Sequence, residues 1–574
     1  MCGIVGIVGA SANQKMIDAM LRTQYHRGPD FSGSKVIPTK IALGHNRLAI
    51  IDLSSEANQP MQDRSGRYEI IFNGEIYNYI ELKSELSKQY SFQTRSDTEV
   101  LLAAYLVWKE RMLERLNGMF SFAIYDNVTG RLFSARDRFG VKPFYYMQYE
   151  GSLYFASEIK AFEAANINLS PNEKVWSDYL SFGSYGLPDE SFWKDVKQLE
   201  AGHYFYYDGG LKIVQWYDFV GRVKSVEIGK SIEEVQHSYE KLLTDSVNLR
   251  FRADVNVGFN LSGGLDSSIL LAMVNKTHPN NTKIKAYTFY TGDERYDEDY
   301  WVEKMLKQTQ NPLKKVLLDV RDIPKLAREL SRVQYEPYGG IPTIAYYNLF
   351  KQARKDHTLV LLDGQGMDEQ WAGYDYYTSE GNSLIQGIKT SPTRTNVLTS
   401  DFAKMARKDQ YSQPFNNRVQ NLQYRDLFYT KIPRALRFND RISMASSVEL
   451  REPFLDYRLV ELAFAQPKEY KIRNGQKKWM LRQIAQKHLS KEIVSAPKRS
   501  LQTPQREWLG NELASFVDEQ IERIASSEIK KWFNIDEMFR EWKTYKNGEQ
   551  DNAFYIWQWV SVGLMVENKE RVEY

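Results

Sequence analysis

Up to about Tyr206 the apolar residues come in short runs broken by turn residues: Ile4 to Val8, Ile41 to Ile51, Tyr68 to Phe72, Phe120 to Tyr125, Arg131 to Ser134, Phe144 to Tyr149 and Leu153 to Ala156. Runs of this length and composition predict strands. Apolar spacings of three and four predict helices near Met16 to Gln24 and Asp97 to Lys109. Residues 1–206 therefore read as an α+β domain of antiparallel sheets covered by helices. Residues 207–231, which carry Asp208-Gly209-Gly210 and a polar stretch from Gly221 to Ser225, read as a linker. Over 232–574 the rhythm changes to strand, then helix. Val255, Val257, Phe259 and Leu261 lead through a glycine turn into a helix from Ser267 to Asn275. Ile284 to Tyr290 leads to a helix from about Glu298, and Thr358 to Leu362 runs into another glycine turn. Such alternation predicts an α/β parallel sheet that binds ligands outside the carboxyl ends of its strands. From about Asp401 the chain reads as mostly helical.

Composition narrows the function classes. A length of 574 residues exceeds what one core holds and fits two large domains. Lys and Arg total 76 against 73 Asp and Glu, with no long run of one sign, so no nucleic acid is expected as partner. No apolar stretch of about 18 residues occurs and the start lacks a secretory pattern, so no membrane partner is expected. A single cysteine precludes an intrachain disulfide and fits a cytoplasmic protein. The 37 tyrosines and 12 tryptophans point to large buried anchors rather than disorder.

That one cysteine is Cys2, beside a removable Met1. With Met1 gone, one residue carries both a thiol and an α-amine of pKa about 8, the nearest base able to take the thiol proton. A lone cysteine is otherwise a small buried hydrophobe. Downstream lie His26-Arg27-Gly28-Pro29-Asp30, His45-Asn46-Arg47, Asn73-Gly74-Glu75 and Ser96-Asp97-Thr98-Glu99. The Asn73 side chain and the Gly74 N–H could donate to a developing oxyanion, Arg47 could grip a carboxylate, and Glu75 or Asp97 could pair with an ammonium. Each has a plainer alternative: Asn73-Gly74 as a hairpin turn, Arg47 on a solvated strand edge, Asp97 as a helix N-cap.

Together these clusters, with Arg136-Asp137-Arg138-Phe139-Gly140-Val141-Lys142-Pro143 and Ser157-Glu158-Ile159-Lys160, resemble the class II glutamine amidotransferase domain of asparagine synthetases. The resemblance implies an αββα N-terminal nucleophile fold in which Cys2 attacks the glutamine amide. It further implies that Asn73 and Gly74 form the oxyanion hole and that Arg47, Glu75 and Asp97 bind the amino-acid end of glutamine.

In the second half, Leu261-Ser262-Gly263-Gly264-Leu265-Asp266-Ser267-Ser268 follows a strand and opens a helix, a context in which backbone N–H groups surround phosphate. No Gly-Lys-Ser/Thr follows, so it is not a Walker loop, and two glycines between serines can be a plain turn. The octapeptide matches the pyrophosphatase-type loop of the same family. Tyr296-Asp297-Glu298, Asp440 to Ala445, Val448 to Asp456 and Lys477 to Arg482 extend the resemblance over nearly the whole chain. It implies ATP contacts from Leu261, Ser262, Gly263, Gly264, Asp266, Ser267, Ser268, Phe289, Asp363 and Gly364. Asp266 and Asp368 would hold Mg2+, for which one or two carboxylates suffice, and Lys478 would stabilise the departing pyrophosphate. The plainer alternatives are an acidic pair at a helix start for Asp368-Glu369 and a surface lysine for Lys478.

Three departures lie on the acceptor side. Well-known asparagine synthetases read Ser-Gly-Glu-Gly where this chain has Asp363-Gly364-Gln365-Gly366, so a group able to accept a proton from ammonia is replaced by an amide. Lys498 to Pro504 replaces a Lys-Gly-Phe pattern, and Glu336-Pro337-Tyr338-Gly339-Gly340 lacks an acidic residue of many relatives. Substitutes for the lost base are Glu369, Glu336, the adenylate phosphate or water. The resemblance implies glutamine-dependent amidation of aspartate through β-aspartyl-AMP, with glutamine and aspartate as small-molecule partners and ATP and Mg2+ as cofactors. Two alternatives stand beside it: amidation of another carboxylate, such as a uronic acid of a surface polysaccharide or a peptide side chain, and a non-synthesising binding module. A homodimer is compatible with the resemblance but is not read from the sequence. Cys2→Ala is expected to abolish glutamine use and to leave synthesis from ammonium salts intact, as parallel assays with the two nitrogen sources would show.

Overall fold

The computed structural model describes residues 2–227, 231–279, 284–378, 391–408, 410–496, 502–548 and 552–570. Lys498 to Leu501, part of the departure noted above, lie outside them. Twelve strands build the N-terminal half: β1 Gly3–Val8, β2 Phe31–Ile37, β3 Ile41–Arg47, β4 Met61–Gln62, β5 Tyr68–Ile76, β6 Gly118–Asp126, β7 Leu132–Arg136, β8 Tyr145–Tyr149, β9 Ser152–Ala156, β10 Lys197–Gln198, β11 His203–Tyr207 and β12 Leu211–Gln215. They form two antiparallel sheets, ordered β10-β8-β9-β1-β3-β2 and β12-β11-β7-β6-β5-β4. Side-chain alternation explains the layering. On β1, Ile4 and Val8 face Ile71 and Ala123 of the other sheet, whereas Val5 and Ile7 pack on Ile17, Met20 and Leu21 of the helix Gln14–Thr23. On β5, Ile70 and Phe72 turn outward to Val100, Leu101 and Leu102 of the helix Asp97–Trp108. Four layers, helix on sheet on sheet on helix, result.

The segment from 207 onward departs from the expected linker. β12 pairs with β11 from Tyr207↔Leu211 to His203↔Gln215, so the sheet continues to Gln215, and the Gly209-Gly210 dipeptide is the turn between them. A helix, Phe219–Ser225, follows. The polar composition there belongs to an exposed edge hairpin, which local sequence does not distinguish from a linker.

The second half holds a five-stranded parallel sheet of β13 Val257–Asn260, β14 Ala286–Tyr290, β15 Leu313–Leu317, β16 Val360–Leu362 and β17 Glu449–Arg451, ordered β15-β14-β13-β16-β17. The order reverses between β13 and β16, the crevice where such sheets bind ligands. Helices dominate beyond Ser400, among them Lys431–Met444, Trp479–Ala485 and Phe554–Glu570. No helix among the described residues is long and apolar enough to cross a membrane.

Aromatic packing and buried charge join the halves. Trp193 stacks on Tyr335 at 4.9 Å and donates to its carbonyl at 2.7 Å, while Trp176 lies 5.8 Å from Trp532. Arg27, fully buried, reaches Glu158 and Asp440 at 2.9 Å each. Arg441 donates to Tyr145 Oη at 2.5 Å and Glu336 at 2.7 Å. Burial would raise the Glu158 pKa, but His26 and Arg27 beside it bring it down to about 2. The Glu158 contribution is thus fully present above its ordinary 4.5 and lost as pH falls toward 2. Removing one partner of such a cluster strands the other charges, so Arg27→Met is expected to cost about 3–5 kcal/mol. Urea unfolding at pH 7 measures the loss, and its repetition at falling pH should show a flatter acid limb in the variant.

Candidate active sites

Cys2 is buried next to β1, an inner strand of its sheet. Its backbone N donates to Asn73 Oδ1 at 3.1 Å, and Arg27 Nε donates to its carbonyl at 3.0 Å. Burial pushes the thiol pKa up, against the pull of the Leu48 backbone and the Arg47 guanidinium. Asn73 and Gly74 lie inside β5 rather than at a hairpin turn. Asn73 Nδ2 is buried without a partner, a donor left open next to the thiol residue. Gly74 has φ +153°, and a Cβ there would stand 2.1 Å from the Met119 carbonyl oxygen, so the strand pairing excludes any side chain at this position.

Arg47 is no solvated edge residue. Its guanidinium is held by the carbonyl oxygens of Ser54 (2.7 Å), Ile51 (3.4 Å) and Asp52 and by Asn58 Oδ1 (2.9 Å). A carboxylate bound there would share a cation already fixed in place. Ser96, not Asp97, caps the helix, its Oγ accepting from the Thr98 N–H at 3.0 Å. Asp97 instead accepts from the Ile76 N–H at 2.9 Å, and burial brings its pKa up to about 6. Burial, then Glu449 and Asp97, push Glu75 well above the usual range. Its Oε2 is buried without a partner. An ammonium entering this pocket would relieve both carboxyls.

β17, within the Val448 to Asp456 motif, reaches the thiol site as well. Arg451 Nη2 stands 3.7 Å from Glu75, its Nε binds Glu449 at 2.5 Å, and its Nη1 binds the carbonyls of Arg250 and Arg252 at 2.7 and 2.8 Å. The wall of the thiol pocket thus comes partly from the second half. The available signal was charge at Glu449 and Arg451 within a strand of a parallel sheet, where apolar residues are the rule.

The second site lies at the sheet crevice. Gly264 begins the helix Leu265–Thr277 with no side-chain cap, leaving the first N–H groups directed outward. Gly263 has φ +69°, and a Cβ there would meet Trp301 Cβ at 2.7 Å. Ser262 Oγ and Ser267 Oγ are 3.2 Å apart. Leu261, Ser262 and Phe289 line a small cavity with Tyr346 and Glu298. Ser268 lies beneath the loop, its side chain fully buried. Gly364 brings the end of β16 against the loop, its would-be Cβ 3.6 Å from Asp266 Cβ and Ser267 N. Lys478 is buried rather than on the surface. Its Nζ meets Asp266 Oδ2 at 2.5 Å and Asp368 Oδ1 at 2.6 Å, and a Cβ on Gly373 would strike both Asp368 and Lys478. Burial would lower its pKa, but the two carboxylates outweigh burial and hold it raised.

Of the departures, Gln365 stands at this crevice, just after β16, and Glu336 at the seam between the halves. Gln365 lies beside Asp363 and Glu452 and favours the charged form of each, its side chain acting on Asp363 and its backbone on Glu452. Glu336 is taken up at the seam, accepting from Phe192 N–H at 3.0 Å and Arg441 at 2.7 Å. Glu369 accepts from Tyr374 Oη at 2.6 Å, and burial, then Asp368, raises its pKa to about 7.

Residues 1–217 match the family model described as glutamine amidotransferase domain, and residues 238–568 match the model described as asparagine synthase. These two sites on this fold define a glutamine-dependent, ATP-using ligase. The chain belongs to the asparagine synthase family. It is similar to asparagine synthetase [glutamine-hydrolyzing] 1 of Bacillus subtilis, with 30% identity over 97% of this chain and 95% of the relative. It is also similar to the amidase chyE of Penicillium rubens, with 27% identity over 88% of each chain. Lys478→Met is expected to reduce acceptor-dependent pyrophosphate formation by about 10²–10³-fold, as removal of a preorganised stabiliser does, while glutamine hydrolysis persists. Paired pyrophosphate and glutamate assays check the split.

Proposed function

We propose that the chain makes asparagine: glutamine is hydrolysed at Cys2, aspartate is activated as β-aspartyl-AMP in the crevice, and ammonia released in the first site attacks it in the second. The observation that carries the reading is the convergence of Asp266, Asp368 and Lys478 at a phosphate-suited helix start, separate from a buried thiol pocket with an open amide donor. With Met1 removed, the Cys2 amine is the base for a thiol that burial keeps protonated. Asn73 Nδ2 and the Gly74 N–H stabilise the tetrahedral oxyanion, Arg47 holds the glutamine carboxylate, and Glu75 and Asp97 hold its ammonium.

Among the described residues no three His, Cys, Asp or Glu side chains gather as a metal site. Mg2+ nonetheless fits here, because it takes one or two carboxylates and completes its shell with phosphate oxygens and water. Asp266 and Asp368 would hold it, and it would neutralise charge on the pyrophosphate. Lys478, released from them, follows the departing phosphates. The names of relatives similar over most of their length support aspartate as acceptor. Purified enzyme given glutamine, ATP, Mg2+ and a panel of carboxylates should release pyrophosphate with aspartate above all others. Release with a uronate or a peptide carboxylate and none with aspartate would replace this acceptor.

A further inference from the structure

Ammonia that attacks an acyl-adenylate must lose a proton, and Gln365 cannot take it. We propose that Glu452, paired with Asp363, is the proton acceptor of the amidation step, an inference that rests on the amidation reading above.

The register of the sheet brings the two carboxylates together. β16 and β17 run parallel with Leu362 opposite Arg451, and the Asp363 N–H donates to the Arg451 carbonyl at 2.9 Å. Asp363 and Glu452 are therefore neighbours one residue beyond the strand ends, on the side where the pyrophosphatase-type loop lies. Gln365 stands two residues after Asp363 in the same turn, and its polar groups act on both carboxyls. The position that lost its carboxylate thus lies beside two others. Asp363 and Glu452 are 5% and 4% exposed, and Asp363 Oδ2 and Glu452 Oε2 are buried without a partner. Two open acceptors in a buried place suit a molecule that brings N–H donors. Glu452 also lines a small crevice between the halves, with Tyr77, Met119 and Phe139 on the glutaminase side and Arg250 and Tyr457 on the other. It thus stands between residues of the glutaminase half and the end of β17 beside Asp363.

The electrostatics agree with this placement. Burial, then the neighbouring Asp363, raises the Glu452 pKa well above the usual range, against Lys142 and Arg250. Burial brings Asp363 up to about 6, against the Gly364 N–H and Gln365. Tyr346 faces both as a neutral hydroxyl. Two such carboxyls titrate as a pair that binds one proton and keeps one negative charge, a base matched to neutral pH. Glu336 and Glu369, the alternatives named from sequence, are engaged by Arg441 and Tyr374. In the step itself, the ammonia lone pair forms the C–N bond at the acyl carbon. The nitrogen then passes one proton to the carboxylate pair as the C–O bond to phosphate breaks, leaving the amide, AMP and a protonated pair.

The test uses the full-length enzyme with saturating ammonium chloride, so that the thiol site is bypassed. Glu452→Gln should keep acceptor-dependent ATP–pyrophosphate exchange within about threefold and lower amide formation by about 10²–10³-fold, the usual worth of a general base. Hydroxamate formation from hydroxylamine, whose adduct is the stronger acid and releases its proton to water, should fall by less than about tenfold. Adding Gln365→Glu to Glu452→Gln should restore amide formation at least about tenfold, and Glu452→Asp should outperform Glu452→Gln. Amide formation within about threefold of the parent in Glu452→Gln would overturn the role, as would an equal loss of exchange, amide and hydroxamate. Failure of the acceptor reading shows in the parent alone, as absent exchange with aspartate. The Glu452 comparison is then made on the carboxylate that does support exchange.

Discussion

Charge buried at the seam between the two halves is the constraint from which the rest follows. Arg27, Lys142, Arg441 and Arg451 are buried there with Glu75, Glu158, Glu336, Asp440 and Glu449. Buried ion pairs add little net stability compared with apolar packing, yet each becomes costly when its partner is displaced. Their pairing therefore selects one docking arrangement among those that the aromatic contacts alone would tolerate. Arg27 shows how that choice reaches the chemistry. The same guanidinium that spans Glu158 and Asp440 also holds the Cys2 carbonyl, so the nucleophile is set by a residue of the seam.

The two sites are prepared in different ways. Around the thiol the backbone does the positioning: Gly74 is pressed against β6, Asn73 is fixed by its strand, and Arg47 is clamped by carbonyls. At the crevice the polar groups neutralise one another, with Lys478 between Asp266 and Asp368. The first pocket needs only its substrate. The second must exchange an internal ion pair for external ones when phosphates and a cation arrive, and Gly373, with no Cβ, leaves the space that the Asp368 and Lys478 side chains occupy.

Much of this was legible in sequence wherever the signal is local. Short apolar runs located β1, β5 and β6, and the helix at Asp97 begins where its spacing places it. β2 escaped because its outward positions are exposed and polar, and β17 because two of its three residues are charged. The hairpin of β11 and β12 reads as a linker in sequence because an exposed edge hairpin and a linker share their composition. The motif residues Cys2, Asn73, Gly74, Asp266 and Lys478 were recognisable from short strings. The partners that complete the sites were not. Glu75 with Arg451, and Arg27 with Asp440, pair across more than half of the chain, and no periodicity reports a contact at that separation.

A seam of this kind also constrains descent. A glutaminase half taken from one relative and joined to the synthetase half of another would have to bring Arg27, Lys142 and Glu75 to a surface offering matching charges at Asp440, Glu449 and Arg451. One mismatch would leave a buried ion unpaired, at a cost comparable to a good part of a domain's total stability. Recombination between such chains is therefore penalised at the boundary where exchange looks simplest. Substitutions in the seam are expected to be inherited in compensating sets, so the two halves diverge as one lineage rather than as interchangeable modules.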